Sequence, residues 1–566
     1  MQGRPHEQHA NTQNRIRPSG SSTTCSSSYS TPTVVVEGEN DDEQQERLPL
    51  LSNDPQATMS HIFGMPLWTA AAATISCIGG FLFGFDLGVV GGLFIAPSFQ
   101  SHFGIDPDDK IKEADIQGNI VAVLQIGCLV GSLAASLVAD KLGRRISIIL
   151  GTIVFIVGGT LQIVGEKLAM LYAGRLIAGL GRCVGALSML VPIYVSEIAH
   201  QKHRGILGGL WQFFISAGLA LSYWTNYAVQ RTIPNTDDAL WRIPLIVQTA
   251  PSVLILVGIL FLFETPRCLC AHNKISEARA VIAKVNGWPQ HDPRVEEEIE
   301  IILSSLTPDP TAVPSASASS WRIVLGASNR KRLLMGCALQ VFQQLTGTNV
   351  INYYSPIIFR SIGLSSATAE LFATGVYGLV KMTVGLIGFS CLVDRLGRRP
   401  LLCGGGAAMG LCMIAVAICV GTRAPAGSDQ MDPSALTGIL FMYAFAICFV
   451  LSWGPIPWIY CSEIYPTRSR AKSTSITTAV NWVFNAVVGK FSPILLASST
   501  VGAYVFFGGW CFVMSAFCFF FLPETKGKSL EEIDQLLGNT KGRVSDVEHL
   551  AQPPVSHGPK HRKASE

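Results

Sequence analysis

The sequence predicts an all-α membrane protein whose twelve transmembrane helices form two six-helix repeats. Three observations predict it: too little charge for a soluble surface, apolar runs of bilayer length, and a duplicated pair of loop motifs. Of 566 residues, 49% are hydrophobic and 14% are Asp, Glu, Lys or Arg. Soluble domains carry about 25% charged residues, so this chain lacks the polar shell that several soluble domains would need. The mean hydropathy of +0.37 agrees. Low charge excludes disorder for the bulk of the chain. A balance of 42 basic to 39 acidic residues excludes a nucleic-acid binder.

Residues 1–62 are rich in Ser, Thr, Gln and Asn, with an acidic stretch from Glu37 to Glu46 and no apolar core of a signal peptide. They read as a disordered cytoplasmic tail. Within it, Glu46 to Leu51 has the form of an acidic dileucine sorting signal. A bilayer core of about 30 Å needs about 20 apolar residues in a helix. Runs of that length fall at 67–95, 116–139, 146–165, 168–196, 205–229 and 243–263. Six more follow at 334–359, 370–393, 400–421, 436–460, 473–498 and 502–522. This divides the chain into an N-terminal bundle (63–263), a cytoplasmic linker (264–333), a C-terminal bundle (334–523) and a C-tail (524–566). The linker holds helical patterns at Ser276 to Val285 and Pro293 to Leu306; 307–320 is Pro/Ser/Ala-rich and reads as flexible.

With both termini cytoplasmic, the inner loops hold 20 Lys/Arg and the outer loops seven. The reverse topology violates the positive-inside rule. The internal duplication supports the six-and-six division. Asp140-Lys141-Leu142-Gly143-Arg144-Arg145 follows the second run and Asp394-Arg395-Leu396-Gly397-Arg398-Arg399 the eighth. Glu197, six residues and Arg204 follow the fourth; Glu463, six residues and Arg470 follow the tenth. Basic loops alone satisfy the positive-inside rule, but they do not explain the matched acids and glycines. The halves therefore read as repeats about an axis along the membrane normal. Fifteen cysteines scatter mostly through apolar runs, where Cys acts as a small hydrophobe. No metal ligand set, phosphate loop or nucleophile elbow appears, so no cofactor and no ATP-driven step are expected.

At these residues the chain resembles the sugar porter family of the major facilitator superfamily, over nearly all of 66–530. The paired Asp-x-x-Gly-Arg-Arg loops carry the resemblance together with Glu264-Thr265-Pro266-Arg267 and Pro523-Glu524-Thr525-Lys526-Gly527. So do Gln343 to Tyr354 on the seventh helix and Gly454-Pro455-Ile456-Pro457-Trp458 on the tenth. The run Gly80 to Asp86 is most similar to fungal members. The resemblance implies the major facilitator fold and transport rather than catalysis. Its substrate would be a monosaccharide, a hexose first, and its partners a proton and the bilayer, without nucleic acid. A monomer is expected, in the plasma membrane first, with a vacuolar or endosomal membrane as the alternative.

A sugar leaving water for a site within the membrane needs amide partners, because each unpaired buried hydroxyl costs a few kcal/mol. By resemblance Gln212, Gln343, Gln344, Asn349, Tyr353, Trp458, Asn481 and Trp482 line that site. The alternative for each is ordinary interhelical hydrogen bonding. Where the family often places a second Gln, seven residues after Gln212, Leu219 stands. Asp86 lies within the first run and Arg175 within the fourth, where an unpaired charge costs at least about 2.5 kcal/mol. The resemblance pairs them, as a proton switch or as a structural ion pair of a passive facilitator. A non-transporting nutrient sensor of this fold is the different-class alternative, disfavoured by the short C-terminal extension.

Asp140, Arg144, Arg145, Glu197, Arg204, Glu264, Arg267, Asp394, Arg398, Arg399, Glu463 and Arg470 read as a cytoplasmic gate. Its arginines are expected to reach Glu197 and Glu463 across the two halves. Lys381 lies midway along the eighth helix, where it pairs, lines the substrate path or snorkels; beside the site it would suit a quinate-like acid or a polyol. Lys490 reads as a snorkelling interfacial residue. Finally, Arg182-Cys183 is an insertion against the family pattern. Two residues advance a helix by about 3 Å and turn it by about 200°. Either a bulge absorbs them or they mark a misplaced splice junction, the reading preferred from sequence.

Overall fold

In lipid, every backbone N–H and C=O must be paired within the chain, and a helix does this locally. The computed structural model describes residues 61–62, 65–184, 194, 197–198, 204–306, 326–364, 366–422, 433–465, 470–526 and 528. All lie in one compact unit, Pro55–Glu566. The dileucine motif, the linker stretch 307–320 and the end of the C-tail lie outside the described residues.

A two-residue antiparallel pair, β1 (His61–Ile62) and β2 (Met65–Pro66), precedes the helices. The first half contains α1 (Leu67–Phe94), α2 (Pro97–His102), α3 (Lys110–Leu142), α4 (Arg144–Ile163), α5 (Leu168–Val184), α6 (Arg204–Thr232) and α7 (Ala239–Phe261). Short helices α8 (Pro266–Ala271), α9 (Ile275–Asn286) and α10 (Pro293–Leu306) occupy the linker, where the periodicity placed two of them. Arg279 and Glu296 tie α9 to α10 at 2.5 Å. The second half contains α11 (Ala327–Leu345), α12 (Thr348–Ile362), α13 (Ala367–Leu396), α14 (Arg398–Gly421), α15 (Pro433–Leu451), α16 (Ile456–Ile464), α17 (Arg470–Ser498) and α18 (Thr500–Phe521).

Nine segments among the described residues are long and apolar enough to cross a bilayer. Their outer faces carry side chains that water would reject: Leu254 is 62% exposed, Ile387 69% and Phe520 75%. Two expected runs are broken. The seventh divides at Gly347, whose φ of 81° separates the end of α11 from the start of α12. The tenth divides between Leu451 and Ile456, at Gly454-Pro455, where proline supplies no N–H to the helix ladder.

Packing follows the repeat. Within the first half α1 runs along α6, and α5 packs between α3 and α4; within the second, α14 packs on α15 and α18. Between halves, α3 meets α17 and α6 meets α13. Since α3 and α13 occupy matching places in the two repeats, as do α6 and α17, these are one seam seen twice. Close approach of α1 to α6 rests on Gly80, Gly84, Gly88 and Gly92, spaced one per turn. A Cβ at Gly84 would collide with the Ile215 carbonyl.

Candidate functional site

A buried polar cluster centres on Asp86, 1% exposed on α1. Arg175 Nη1 donates to Oδ1 at 3.1 Å, and Gln248 Nε2 donates to the same oxygen at 2.6 Å. Arg182 Nη1 donates to Oδ2 at 2.5 Å. Arg175 and Arg182 are seven residues apart, two turns, and so share a face of α5. At Arg182-Cys183, where the sequence suggests a bulge or a misplaced splice junction, α5 runs helically through to Val184, with Arg182 fully buried on the carboxylate. Arg182 also donates to the Phe83 carbonyl and stacks 4.1 Å from the Phe83 ring centre. Its guanidinium lies 5.9 Å from the Trp482 ring, so the charge cluster abuts an expected sugar-facing aromatic.

Across the seam lies a chain of amides. Tyr353 OH accepts from Gln125 Nε2 at 2.8 Å and donates to Asn485 Oδ1 at 3.2 Å, joining α3, α12 and α17. Asn481 Nδ2 donates to Gln340 Oε1 at 2.7 Å and Gln343 Oε1 at 2.9 Å. Gln343 Nε2 donates in turn to the carbonyls of Trp453 and Gly454, at 3.0 and 2.9 Å. The break between α15 and α16 frees those carbonyls from a helical ladder. Asn349 Nδ2 spans the Gly347 break to Gln344 Oε1 at 2.7 Å, and Asn352 Nδ2 donates to Asn349 Oδ1 at 3.2 Å. Lys381 Nζ donates to Asn352 Oδ1 at 3.0 Å. Among the described residues Gln125 Oε1, Gln248 Oε1 and Trp482 Nε1 are buried without a hydrogen bond.

Five of the eight expected site residues (Gln343, Gln344, Asn349, Tyr353 and Asn481) thus enter hydrogen-bonded networks, and Trp482 packs on Phe83 with ring centres 6.1 Å apart. Gln212 is half-buried and its side chain makes no hydrogen bond among the described residues. Trp458 is 40% exposed, while Trp453 is the buried indole of that segment, donating to the Leu402 carbonyl. Leu219, in the place of the second Gln, is buried at the α1–α6 crossing. The sequence reading missed Gln125, Gln248, Gln340 and Asn485. Each is an amide in an apolar run, and Asn485 follows Asn481 by one turn, which was the available signal.

Where the doubled motifs stand, the repeat is reproduced residue for residue, but not as expected. Arg144 pairs with Glu197 at 3.3 Å and Arg398 with Glu463 at 2.9 Å. Both pairs lie within one half, so the expectation of pairing across the halves is corrected. The reason is a turn: Gly143 and Gly397 both have φ of 89°, which aims each following arginine back at its own bundle. Glu264 accepts from the backbone N–H of Arg144 at 2.9 Å and Arg145 at 3.1 Å, capping α4. Glu524 caps α14 likewise, from Arg398 at 3.0 Å and Arg399 at 2.9 Å. Burial alone would raise the Glu524 carboxyl; N–H donations from Arg398, Lys526, Arg399 and Thr525 outweigh it and hold the group below its ordinary 4.5. Arg145 donates to the Leu260 carbonyl at 2.6 Å, and Arg399 to that of Phe519. Arg267 is exposed. The side chains of Asp140, Arg204, Asp394 and Arg470 lie outside the described residues.

A contact between halves occurs instead at the other end. Lys490 on α17 reaches Asp115 Oδ1 and Asn119 Oδ1 on α3, each at 2.6 Å. The snorkelling reading of Lys490 is corrected: an acid and an amide face it across the seam.

A family model described as sugar (and other) transporter matches residues 72–537. The chain is 32% identical to the quinate permease of Neurospora terricola over 498 residues, 86% of this chain and 91% of that one. It is 33% identical to the high-affinity hexose transporter HXT6 of Saccharomyces cerevisiae over 492 residues, covering 83% and 82%. The inward-open structure of the xylose transporter XylE from E. coli superposes with a TM-score of 0.68 at 26% identity, covering 83% of this chain and all of that one. The proton:xylose symporter XylE bound to 6-bromo-6-deoxy-D-glucose matches with a TM-score of 0.65, also at 26% identity, covering 83% and 99%.

Proposed function

The chain belongs to the sugar (and other) transporter family, and from that premise we propose that it carries a monosaccharide-sized, polyhydroxylated solute inward together with a proton. It is a multi-pass membrane transporter, with twelve spans in our reading and the plasma membrane as its site. The observation that carries the substrate reading is the Gln125–Tyr353–Asn485 chain, which places amides and a phenol of both halves in one buried seam. Solute hydroxyls would exchange for these amide contacts, so hydration is replaced group by group. Gln343, Gln344, Asn349, Asn481 and Trp482 supply the remaining partners and a flat apolar face.

Rocking of one half on the other exposes that seam to each side in turn. Lys490 with Asp115 closes the outer side, and the linker helices with the capped ends of α4 and α14 brace the inner side. The proton is assigned to Asp86. Its protonation would release Arg175, Arg182 and Gln248 together and change the charge balance between the two arrangements. HXT6 is by name a hexose transporter and XylE a proton:xylose symporter, which supports both parts of the reading. Purified protein in liposomes tests it. An inward proton gradient should drive saturable accumulation of a labelled polyhydroxylated solute, and flux indifferent to the gradient would remove the proton.

A further inference from the structure

The twelve apolar segments contain two acids, Asp86 and Glu370, and four cations, Arg175, Arg182, Lys381 and Lys490. Two of these six are settled at the outer ends. Glu370 holds Arg360 at 2.8 and 3.0 Å, and Lys490 holds Asp115. The interior is left with one carboxylate against three cations. Asp86 is shared by Arg175 and Arg182. Arg175 spends Nη1 on it, while its Nε and Nη2 are buried without an acceptor among the described residues.

Lys381 is the cation farthest from compensation. It is 5% exposed, and its hydrogen bond goes to a neutral amide, Asn352 Oδ1. The rings of Tyr377 and Phe449 stand 5.3 Å from the ammonium, a weak attraction beside what an ion pair supplies. An uncompensated charge in such a place is costly and marks a functional position. Asn352 passes directly to Asn349 and Gln344, the residues read above as substrate partners. The ammonium therefore stands one amide away from the proposed solute.

We propose that the solute is a polyhydroxylated monocarboxylate, a sugar acid, whose carboxylate pairs with Lys381 and takes the place of Asn352 Oδ1. This rests on the reading of the buried amides as the substrate site. The hydroxyls take Gln344, Asn349 and the freed Asn352, while the carboxylate supplies the anion that the interior lacks. Lys381 is then the specificity-determining residue between acid and neutral sugar.

Purified protein in liposomes, with labelled D-gluconate, quinate and D-glucose as probes, tests this. The wild type should transport one of the acids with kcat/KM at least tenfold above that of D-glucose. Lys381→Gln should lower that acid-to-neutral ratio fivefold or more, and Lys381→Arg, which keeps the charge, should restore most of it. A wild type that prefers D-glucose to both acids would overturn the proposal, as would a ratio moved less than fivefold by Lys381→Gln. Should Lys381→Gln fail to yield monodisperse protein, the wild-type preference decides alone. Flux of D-glucose without flux of either acid removes only this inference. Absence of flux for all three removes the transport reading and this inference with it.

Discussion

Lys490 Nζ lies 2.6 Å from Asp115 Oδ1, and this ion pair joins α17 of the second half to α3 of the first. Asn119 Oδ1, at the same distance, holds the ammonium from the next turn of α3. Because α3 and α17 form one of the two seams between halves, the proposed rocking motion separates this group when the side it closes opens. The pair is partly exposed, with side chains 23% and 51% accessible, so its coupling is worth about 0.5–1 kcal/mol. Lys490→Gln should shift the balance toward the outward-open arrangement by about two- to fivefold. Thiol labelling of a cysteine placed on the outer seam would measure it. Asp115→Asn added to Lys490→Gln should have little further effect, and additive shifts would mean that the two side chains act separately.

Removing the carboxylate of Asp86 strands two buried guanidiniums. Breaking a buried pair by deleting one partner costs about 3–5 kcal/mol. Asp86→Asn should lower the thermal midpoint in detergent by several degrees and abolish gradient-driven accumulation. Arg182→Leu in the Asp86→Asn background should recover part of the lost stability, since it removes one stranded charge. A double variant no more stable than the single one would show that Arg182 is not held by Asp86.

Tyr353→Phe deletes the hydroxyl that links Gln125 to Asn485 while keeping the ring. At the proposed site this hydroxyl also meets the solute, so KM should rise about fivefold to thirtyfold, corresponding to about 1–2 kcal/mol. Initial rates of uptake against concentration will show it. An unchanged KM would make Tyr353 a purely structural link.

Glu524 caps α14 with its carboxylate, and its ionised form is favoured in the folded chain. A group whose folded value lies below its unfolded one contributes stability above the unfolded value and loses it as pH falls. The window therefore opens near pH 4.5 and extends downward. Melting curves between pH 7 and pH 3.5 should show a fall at the acid end that is smaller in Glu524→Gln. At pH 7 that variant should be about 1 kcal/mol less stable, as for other lost caps.

Gly84 faces the Ile215 carbonyl too closely for a side chain. Gly84→Val should force α1 away from α6 and abolish recovery of folded protein, as judged by gel filtration. Gly404, with open space where its Cβ would stand, is the control: Gly404→Ala should be recovered like the wild type.

The spacing of apolar runs, the loop charges and the doubled Asp-x-x-Gly-Arg-Arg and Glu-x6-Arg motifs determined by themselves an all-helical membrane chain in two matched halves. Hydrophobic length and charge are additive along a sequence, so they need no neighbour to be read. Asp86 and Arg175 were legible for the same reason, since a charge inside an apolar run announces a partner. Which partner was a matter for the tertiary structure. Only packing showed that Arg182 closes on Asp86 beside Arg175, and that Gln248 arrives from a helix 162 residues away in the chain. Only packing turned Arg144 and Arg398 into their own halves through the left-handed turns at Gly143 and Gly397, and set Lys490 against Asp115. Hydrogen bonds and ion pairs have a reach of about 3 Å, and the contacts that decide them lie between helices whose relative rotation no single periodicity records.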